Sequence, residues 1–469
     1  MNDTDNNLLP SWYPALIEWI HNAGGHVHEF LELRGVGTTQ RGIVCTGGAI
    51  QKGDLLIRLP VSLALSGQDL PGIYDGNKIA SPWLRCIAAL YQAASNHTPY
   101  IDSLPSEYET LFQWSNDQVS KYLGGTAIAR VLETDRKTKM LETRYSTAVR
   151  PYLEYLSISP VCCSSDEWER FRQACMCVST RGFHMQSSDD SFSGPFLLPW
   201  IDLMNHNPVQ SCTTLKRDSH NNFVMIAERN VVKGEQIFHS YGNNLSSGQC
   251  LQTFGFVPQE SIQQAISNTV GENVTPAVLS RADIIKACQE MVQSGYPEQL
   301  RSHVESHLCG EEVWDISIHE DRDLDLVSNE LLVCHKSPLS DELVTLVCLV
   351  LLPHVAYRDF MEDSPSLLDS SILQDYFLGK LACRTLLIAL KNKKKTYPAN
   401  ATASNLSILY EKEQTTVTEQ RAMYGWSICM EEKACLEALR KHVLEIMDSL
   451  DDNEEEMNYP GASKRRRDD

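Results

Sequence analysis

The chain has 469 residues, with 41 basic against 61 acidic side chains and hence a net charge of −20. An apolar fraction of 42% and a charged fraction of 22% fit a globular protein of two or three domains and exclude wholesale disorder. The acidity argues against a general nucleic-acid binder, which needs cations for phosphates, and fits a basic protein partner.

In chain order, residues 12–23 read as a short amphipathic helix. From Arg34 the chain turns Gly-rich and β-branched. Gly42–Cys45 and Asp54–Arg58 are predicted strands, with Lys52-Gly53 as the turn before the second and Pro60 as the stop. Residues 80–158 read as mainly helical. Thr126–Arg150 holds no Gly or Pro, and Pro151 is expected to break or kink that helix. Short strands return at Cys212–Leu215, Phe223–Ala227 and Gln236–His239, with Lys233-Gly234 as a second turn. The two β stretches read as halves of one small domain around a helical insert.

After about residue 275 the pattern is helical. Ser340 is a predicted N-cap with Asp341 and Glu342 in the first turn. Leu343–Leu352 is apolar but too short to span a bilayer, so it reads as a buried helix. Leu436, Leu439, Val443, Ile446 and Leu450 mark one apolar helix face. The Lys run and polar residues of 393–408 suggest an exposed loop. The tail is acidic from Asp451 to Glu456, then basic at Lys464–Arg467, and reads as disordered; the basic quartet is a candidate nuclear signal. Fifteen cysteines make an odd number without a Cys-x-x-Cys pair, so neither a disulfide scaffold nor a zinc site is expected. With a polar start at Met1–Pro10, the expectation is an intracellular protein of the nucleus or cytoplasm.

The chemistry is concentrated in Leu197–Asn207, Gly234–Gly242 and Thr253–Val257. Asn205-His206 ends an apolar run, and a polar pair there needs partners, either cofactor groups or the backbone. Ser240-Tyr241-Gly242 and the pair Phe254 and Phe256 come from separate segments that can converge on one pocket. Phe183 and Phe256 serve equally as channel walls or as core aromatics.

Together these segments resemble the SET-domain methyltransferases, in the branch with a split SET domain. That branch includes the Rubisco large-subunit and ribosomal-protein lysine methyltransferases and the actin histidine methyltransferase. Arg41-Gly-Ile-Val44 resembles the turn that opens the domain. Pro99–Pro105, with Trp114 nine residues on, resembles the start of the helical insert. Thr180–Phe183, Asp202-x-x-Asn205-His206, Ser240–Gly242 and Phe254–Phe256 resemble the later motifs in the same order.

The resemblance implies an α+β fold. It has an N-terminal helix over 1–25, a β-rich SET domain split into 26–65 and 166–265 by a helical insert at 66–165, and an all-helical substrate-binding domain over 275–450. A charged, disordered tail at 451–469 follows. It implies S-adenosylmethionine as cofactor, Tyr241 as the catalytic residue and no metal. Arg41, Gly42, Thr180, Arg181, Asp202, Asn205, His206, Tyr241 and Phe256 would hold the cofactor. Phe183, Phe254 and Tyr241 would line the substrate channel. Arg181 has the alternative of a structural ion pair, Asp202 that of fixing a turn, and His206 is expected to act through its backbone rather than as a base. The expected partner is a protein with a target lysine, basic in character, such as a ribosomal or nuclear protein, bound by a monomer that touches neither membrane nor nucleic acid. Phe254 stands where the family often has Tyr, which leaves open the methyl count and a histidine target. A catalytically inactive binding module is the reading from another class.

Overall fold

The computed structural model describes residues 9–36, 40–95, 98–132, 141–158, 164–186, 192–242, 244–293, 329–351, 367–368, 370–374, 376–412 and 414–458. The chain packs as two units. One contains 1–115, 133–245 and 249–258; the other contains 116–132, 246–248 and 259–469. Part of the 66–165 insert therefore belongs to the C-terminal unit.

The first unit begins with the helix Trp12–Asn22, which buries Tyr13, Leu16 and Ile20, one face at helical spacing. Strands β1 (His26–Val27), β2 (Leu31–Val36), β3 (Gln40–Cys45) and β4 (Leu55–Leu59) follow. A hairpin, β5 (Ile73–Tyr74) and β6 (Lys78–Ile79), precedes the helices Pro82–Ser95 and Pro99–Ser103. After the helix Ser164–Arg181 come β7 (Gly182–Gln186), β8 (Phe192–Leu197), β9 (Asn205–His206), β10 (Thr213–Arg217), β11 (Phe223–Ala227) and β12 (Phe238–His239).

The main sheet is antiparallel in the order β1-β4-β11-β10, so it joins strands from both sides of the insert. Its central strand β11 is continuously apolar and buried except at Ile226, as a strand covered on both faces should be. β2 pairs with β3, and β7 with β8. Gly53 and Gly234 turn with positive φ where the spacing predicted turns.

Pro151 does not break its helix. The chain stays helical over 141–155, but Tyr145–Val149 widens into a π-helix just before Pro151. A proline ring clashes with the carbonyl four residues back, and a wider turn relieves that clash.

In the C-terminal unit, Thr126 caps the helix Ala127–Val131 by accepting from the Ala129 N–H at 3.1 Å. Ser340 accepts from the Leu343 N–H at 3.2 Å, and every residue of Leu343–Leu351 is buried. Leu436, Leu439, Val443 and Leu450 are buried on the helix Val417–Asn458, with Ile446 packed beside them.

Three expectations need correction. The all-helical reading of 275–450 gains one antiparallel ladder, β13 (Ala277–Ser280) with β14 (Glu330–Val333). Residues 393–408 are not an exposed loop. Lys393 ends the helix Tyr376–Lys394, is buried, and donates to the Gly125 carbonyl at 2.6 Å. Thr402 then caps the helix Ala403–Tyr410. Finally, the tail is helical as far as Asn458, with Asp451 paired to Lys380; Lys464–Arg467 lies outside the described residues. Among the described residues, no helix is long and apolar enough to cross a membrane.

Candidate active site

The site lies in the first unit, where β9 and β12 run parallel. Asn205 stands opposite Phe238, and His206 opposite His239. This pairing brings the start of the segment after β12 beside β9, from where Tyr241 reaches back to His206 and Met204. Tyr241 is fixed at two points as a result. Its N–H donates to His206 Nδ1 at 3.0 Å, and its hydroxyl donates to the Met204 carbonyl at 2.7 Å. Around the phenol stand the rings of Phe254 at 4.9 Å, His206 at 5.0 Å and Phe256 at 6.4 Å between centroids. Burial pushes the Tyr241 hydroxyl up to about 12, so it stays protonated at neutral pH.

Gly255 allows both phenylalanines to reach this place. It has φ +84°, and a Cβ there would lie 2.0 Å from the Glu109 carbonyl oxygen. Only glycine meets both demands without strain.

The His206 side chain is engaged within the protein. Its Nδ1 accepts the Tyr241 N–H, so a neutral His206 carries its ring proton on Nε2. The side chain anchors the tyrosine backbone.

Arg181 and Asp202 form the buried ion pair that the sequence left as an alternative. Arg181 Nη1 donates to Asp202 Oδ2 at 3.0 Å and to the Asp202 carbonyl at 3.1 Å. Their side chains are 17% and 2% exposed. Burial opposes the Arg181 charge, but Asp202 more than restores it and leaves the pKa above the ordinary value. Tyr100 donates a third bond, to Asp202 Oδ2 at 2.9 Å. Asp202 lies in the middle of the 3-10 turn Ile201–Leu203. Trp200 enters that turn at φ +70° with its side chain fully buried, a bulky residue in a sparsely populated conformation.

Arg41 Nη2 donates to the Ser103 carbonyl at 3.1 Å, and its guanidinium lies 5.0 Å from the Trp12 ring centroid. Burial and the neighbouring Arg181 lower its pKa. The Asn205 amide donates to the Arg41 carbonyl at 2.9 Å, which answers its need for a partner with backbone. A Cβ on Gly42 would lie 2.3 Å from Gln236 Nε2 and 2.9 Å from Asn205 Nδ2, so glycine keeps that approach open. The Thr180 hydroxyl is used within its own helix, on the Met176 carbonyl at 2.7 Å.

Thr180, Arg181, Phe183, Asp202, Tyr241 and Phe254 line one cavity of about 1090 Å³. Arg41, Gly42, Asn205, His206 and Phe256 are outside its lining. The cavity also exposes His239, which sequence reasoning missed. Its Nδ1 lies 3.0 Å from Thr213 Oγ1, and burial lowers its pKa to about 4. Tyr100 and Gln236 were missed as well. Each of the three sits inside a segment singled out for its motif, but only the pairing of the elements shows where it points.

A family model described as the SET domain matches residues 40–242. The N-lysine methyltransferase setd6 of Danio rerio is 24% identical over 257 residues, covering 50% of this chain and 51% of that protein. The actin-histidine N-methyltransferase of Drosophila melanogaster is 25% identical over 296 residues, covering 58% of this chain and 54% of its own. The chain thus spans about half the length of these two relatives. The solved structure of Rubisco LSMT bound to AdoMet matches with a TM-score of 0.60 at 16% identity, over 98% of each chain. At that identity the likeness is one of fold. Residues 40–242 thus match the SET-domain family model, and the main sheet joins strands from both sides of an insert.

Proposed function

We propose that this protein is a methyltransferase that uses S-adenosylmethionine to modify the lysine ε-amine of a protein substrate. One observation carries the reading. Tyr241 is clamped at its N–H and its hydroxyl, ringed by Phe254, Phe256 and His206, and open to a large cavity. Relatives named as N-lysine methyltransferases support it.

The residues present fit the cofactor. Among the described residues, Gln236 Nε2 and Arg181 Nε are buried donors without a protein partner, and Gly42 lets the Gln236 and Asn205 side chains come up against its backbone. Arg41, Gly42, Asn205, His206 and Arg181 would hold it, with Phe256 beside them. When bound, it supplies an activated methyl on a cationic sulfur.

The chain's residues then prepare the nucleophile. A lysine ammonium, pKa ~10.4 in water, is disfavoured between the apolar walls Phe183 and Phe254, which promotes loss of its proton. The Tyr241 hydroxyl donates its hydrogen bond to the Met204 carbonyl. Its oxygen is left as an acceptor for an amine N–H, which orients the nitrogen with its lone pair free. Charge is moved rather than created, so positioning and exclusion of water dominate. The chain's net charge of −20 favours a basic substrate such as a ribosomal or nuclear protein. The same proposal has a monomer acting in the nucleus or cytoplasm.

The test is transfer of labelled methyl to fractionated nuclear, ribosomal and cytosolic proteins, with the product residue identified by mass spectrometry. Label on lysine, reduced about a hundredfold or more by Tyr241→Phe, is the expected outcome. Failure to bind the cofactor in calorimetry, with no label transferred, would overturn the reading.

A second reading, a histidine target, is favoured by Phe254. It presents no hydroxyl at 4.9 Å from the Tyr241 ring, and a neutral imidazole needs less desolvation than an ammonium. Label on histidine would establish it.

A further inference from the structure

We infer that Tyr100, carried by the helical insert, is a positioning residue for Tyr241 and acts through Asp202. The inference rests on the reading of Tyr241 as the residue that meets the nucleophile. Tyr100 lies on the helix Pro99–Ser103 and is fully buried. Its hydroxyl and Arg181 Nη1 both donate to Asp202 Oδ2, at 2.9 and 3.0 Å. Arg181 also holds the Asp202 carbonyl. Asp202 is thus gripped at its side chain and its backbone, in the middle of the turn Ile201–Leu203.

The next residue after that turn is Met204, whose carbonyl accepts the hydrogen bond of the Tyr241 hydroxyl at 2.7 Å. The direction of that carbonyl sets the direction of the phenol oxygen. Among the described residues Asp202 Oδ1 has no hydrogen-bond partner, so the carboxylate is oriented through Oδ2, by Tyr100 and Arg181. Trp200, at φ +70° on the other side, holds the turn in a conformation that must be maintained by its surroundings. The same short helix supports the second arginine of the site. Ser103 donates to the Tyr100 carbonyl at 2.7 Å and accepts from Arg41 at 3.1 Å. A segment inserted between the halves of the domain therefore supports Arg41 through Ser103 and, by a separate bond to Asp202, the tyrosine.

The experiment compares Tyr100→Phe with Tyr152→Phe. Tyr152 is also a fully buried tyrosine of the insert, and donates to the Pro71 carbonyl at 2.7 Å. Two readouts are taken on the full chain: steady-state methyl transfer, and the tyrosine Cζ resonances of ring-labelled protein, with Tyr241 assigned through Tyr241→Phe. Tyr100→Phe should lower kcat about tenfold, the size of one hydrogen bond to a charged group. It should leave cofactor Kd and substrate KM within about twofold and shift the Tyr241 resonance. Tyr152→Phe should move neither readout. Identical behaviour of the two variants would overturn the inference. If the wild-type protein transfers no methyl at all, the resonance decides alone. A shift in Tyr100→Phe but not Tyr152→Phe then upholds the clamp while the methyl-transfer reading fails. Should Tyr100→Phe not fold, Asp202→Asn serves with the same expected shift, and its absence counts against the clamp.

Discussion

At the scale of single residues, the site is held by groups whose tolerance for change is narrow. Gly255→Ala puts a Cβ into the Glu109 carbonyl at a positive φ. It should cost about 2–4 kcal/mol of stability in urea unfolding, the range for backbone strain with a forced clash. His239 carries a different liability. Burial lowers its pKa from 6.5 to about 4, so the unfolded chain binds its proton more readily than the folded one. Stability from this group is full above about pH 6.5 and falls as the pH drops toward 4. Between pH 7 and pH 5 the loss should be about 2 kcal/mol. His239→Gln should flatten that part of the profile, as urea melts at the two pH values would show. Which of these residues could be read from the sequence follows from what motifs encode. Tyr241, Asn205 and His206 sit in patterns that name residue types and spacings. His206 accepting a backbone N–H, and Tyr100 reaching Asp202 across 102 positions, are products of folding and carry no local pattern.

At the scale of elements, the long helices were legible and the short strands were not. The apolar face of Leu436, Leu439, Val443 and Leu450 repeats for four turns, and one wrong residue does not obscure it. β9 and β12 are two residues each. No periodicity exists over two residues, yet their parallel pairing is what assembles the site. The Lys-rich segment misled for a related reason. Lys393 reads as a surface residue, but the helix Tyr376–Lys394 delivers it to a buried carbonyl. Close by, Glu432 accepts from the Ala127 N–H at 3.0 Å and from the Tyr397 hydroxyl at 2.8 Å. Its carboxylate therefore sits at the N-terminal end of the helix Ala127–Val131, where negative charge is favoured. Glu432→Ala strands both donors and leaves the Lys393 charge less compensated. It should cost about 3 kcal/mol or more, and hydrogen exchange should show the amides of 127–131 losing protection first.

At the scale of the whole molecule, the two units should answer pH in opposite senses. Burial pushes Glu432 up to about 7. The folded C-terminal unit therefore holds this proton more tightly than the unfolded chain does. That contribution is full below about pH 4.5 and is lost as pH rises through 7, the reverse of His239 in the first unit. Acidification from pH 7 to pH 5 should lower the protection of core amides in β11 while raising that of amides in the helix Val417–Asn458 near Glu432. Hydrogen exchange at the two pH values reads both, and parallel changes in the two units would refute the assignment. Cofactor binding should add about 2.7 kcal/mol to the stability of the first unit at a hundredfold excess over Kd.

The bond from Ala127 to Glu432 joins residues 305 positions apart. On the ribosome the carboxylate emerges only after that stretch has been translated, about 15–60 s later at ~5–20 residues per second. For that interval the segment 116–132 exists without the surface it is to cover. Val119, Tyr122, Leu123 and Ile128, buried in the finished protein, are then open to solvent and to other chains. The nascent protein therefore passes through a timed window of exposure in the middle of its first half, and chaperone occupancy during synthesis should be greatest over those residues.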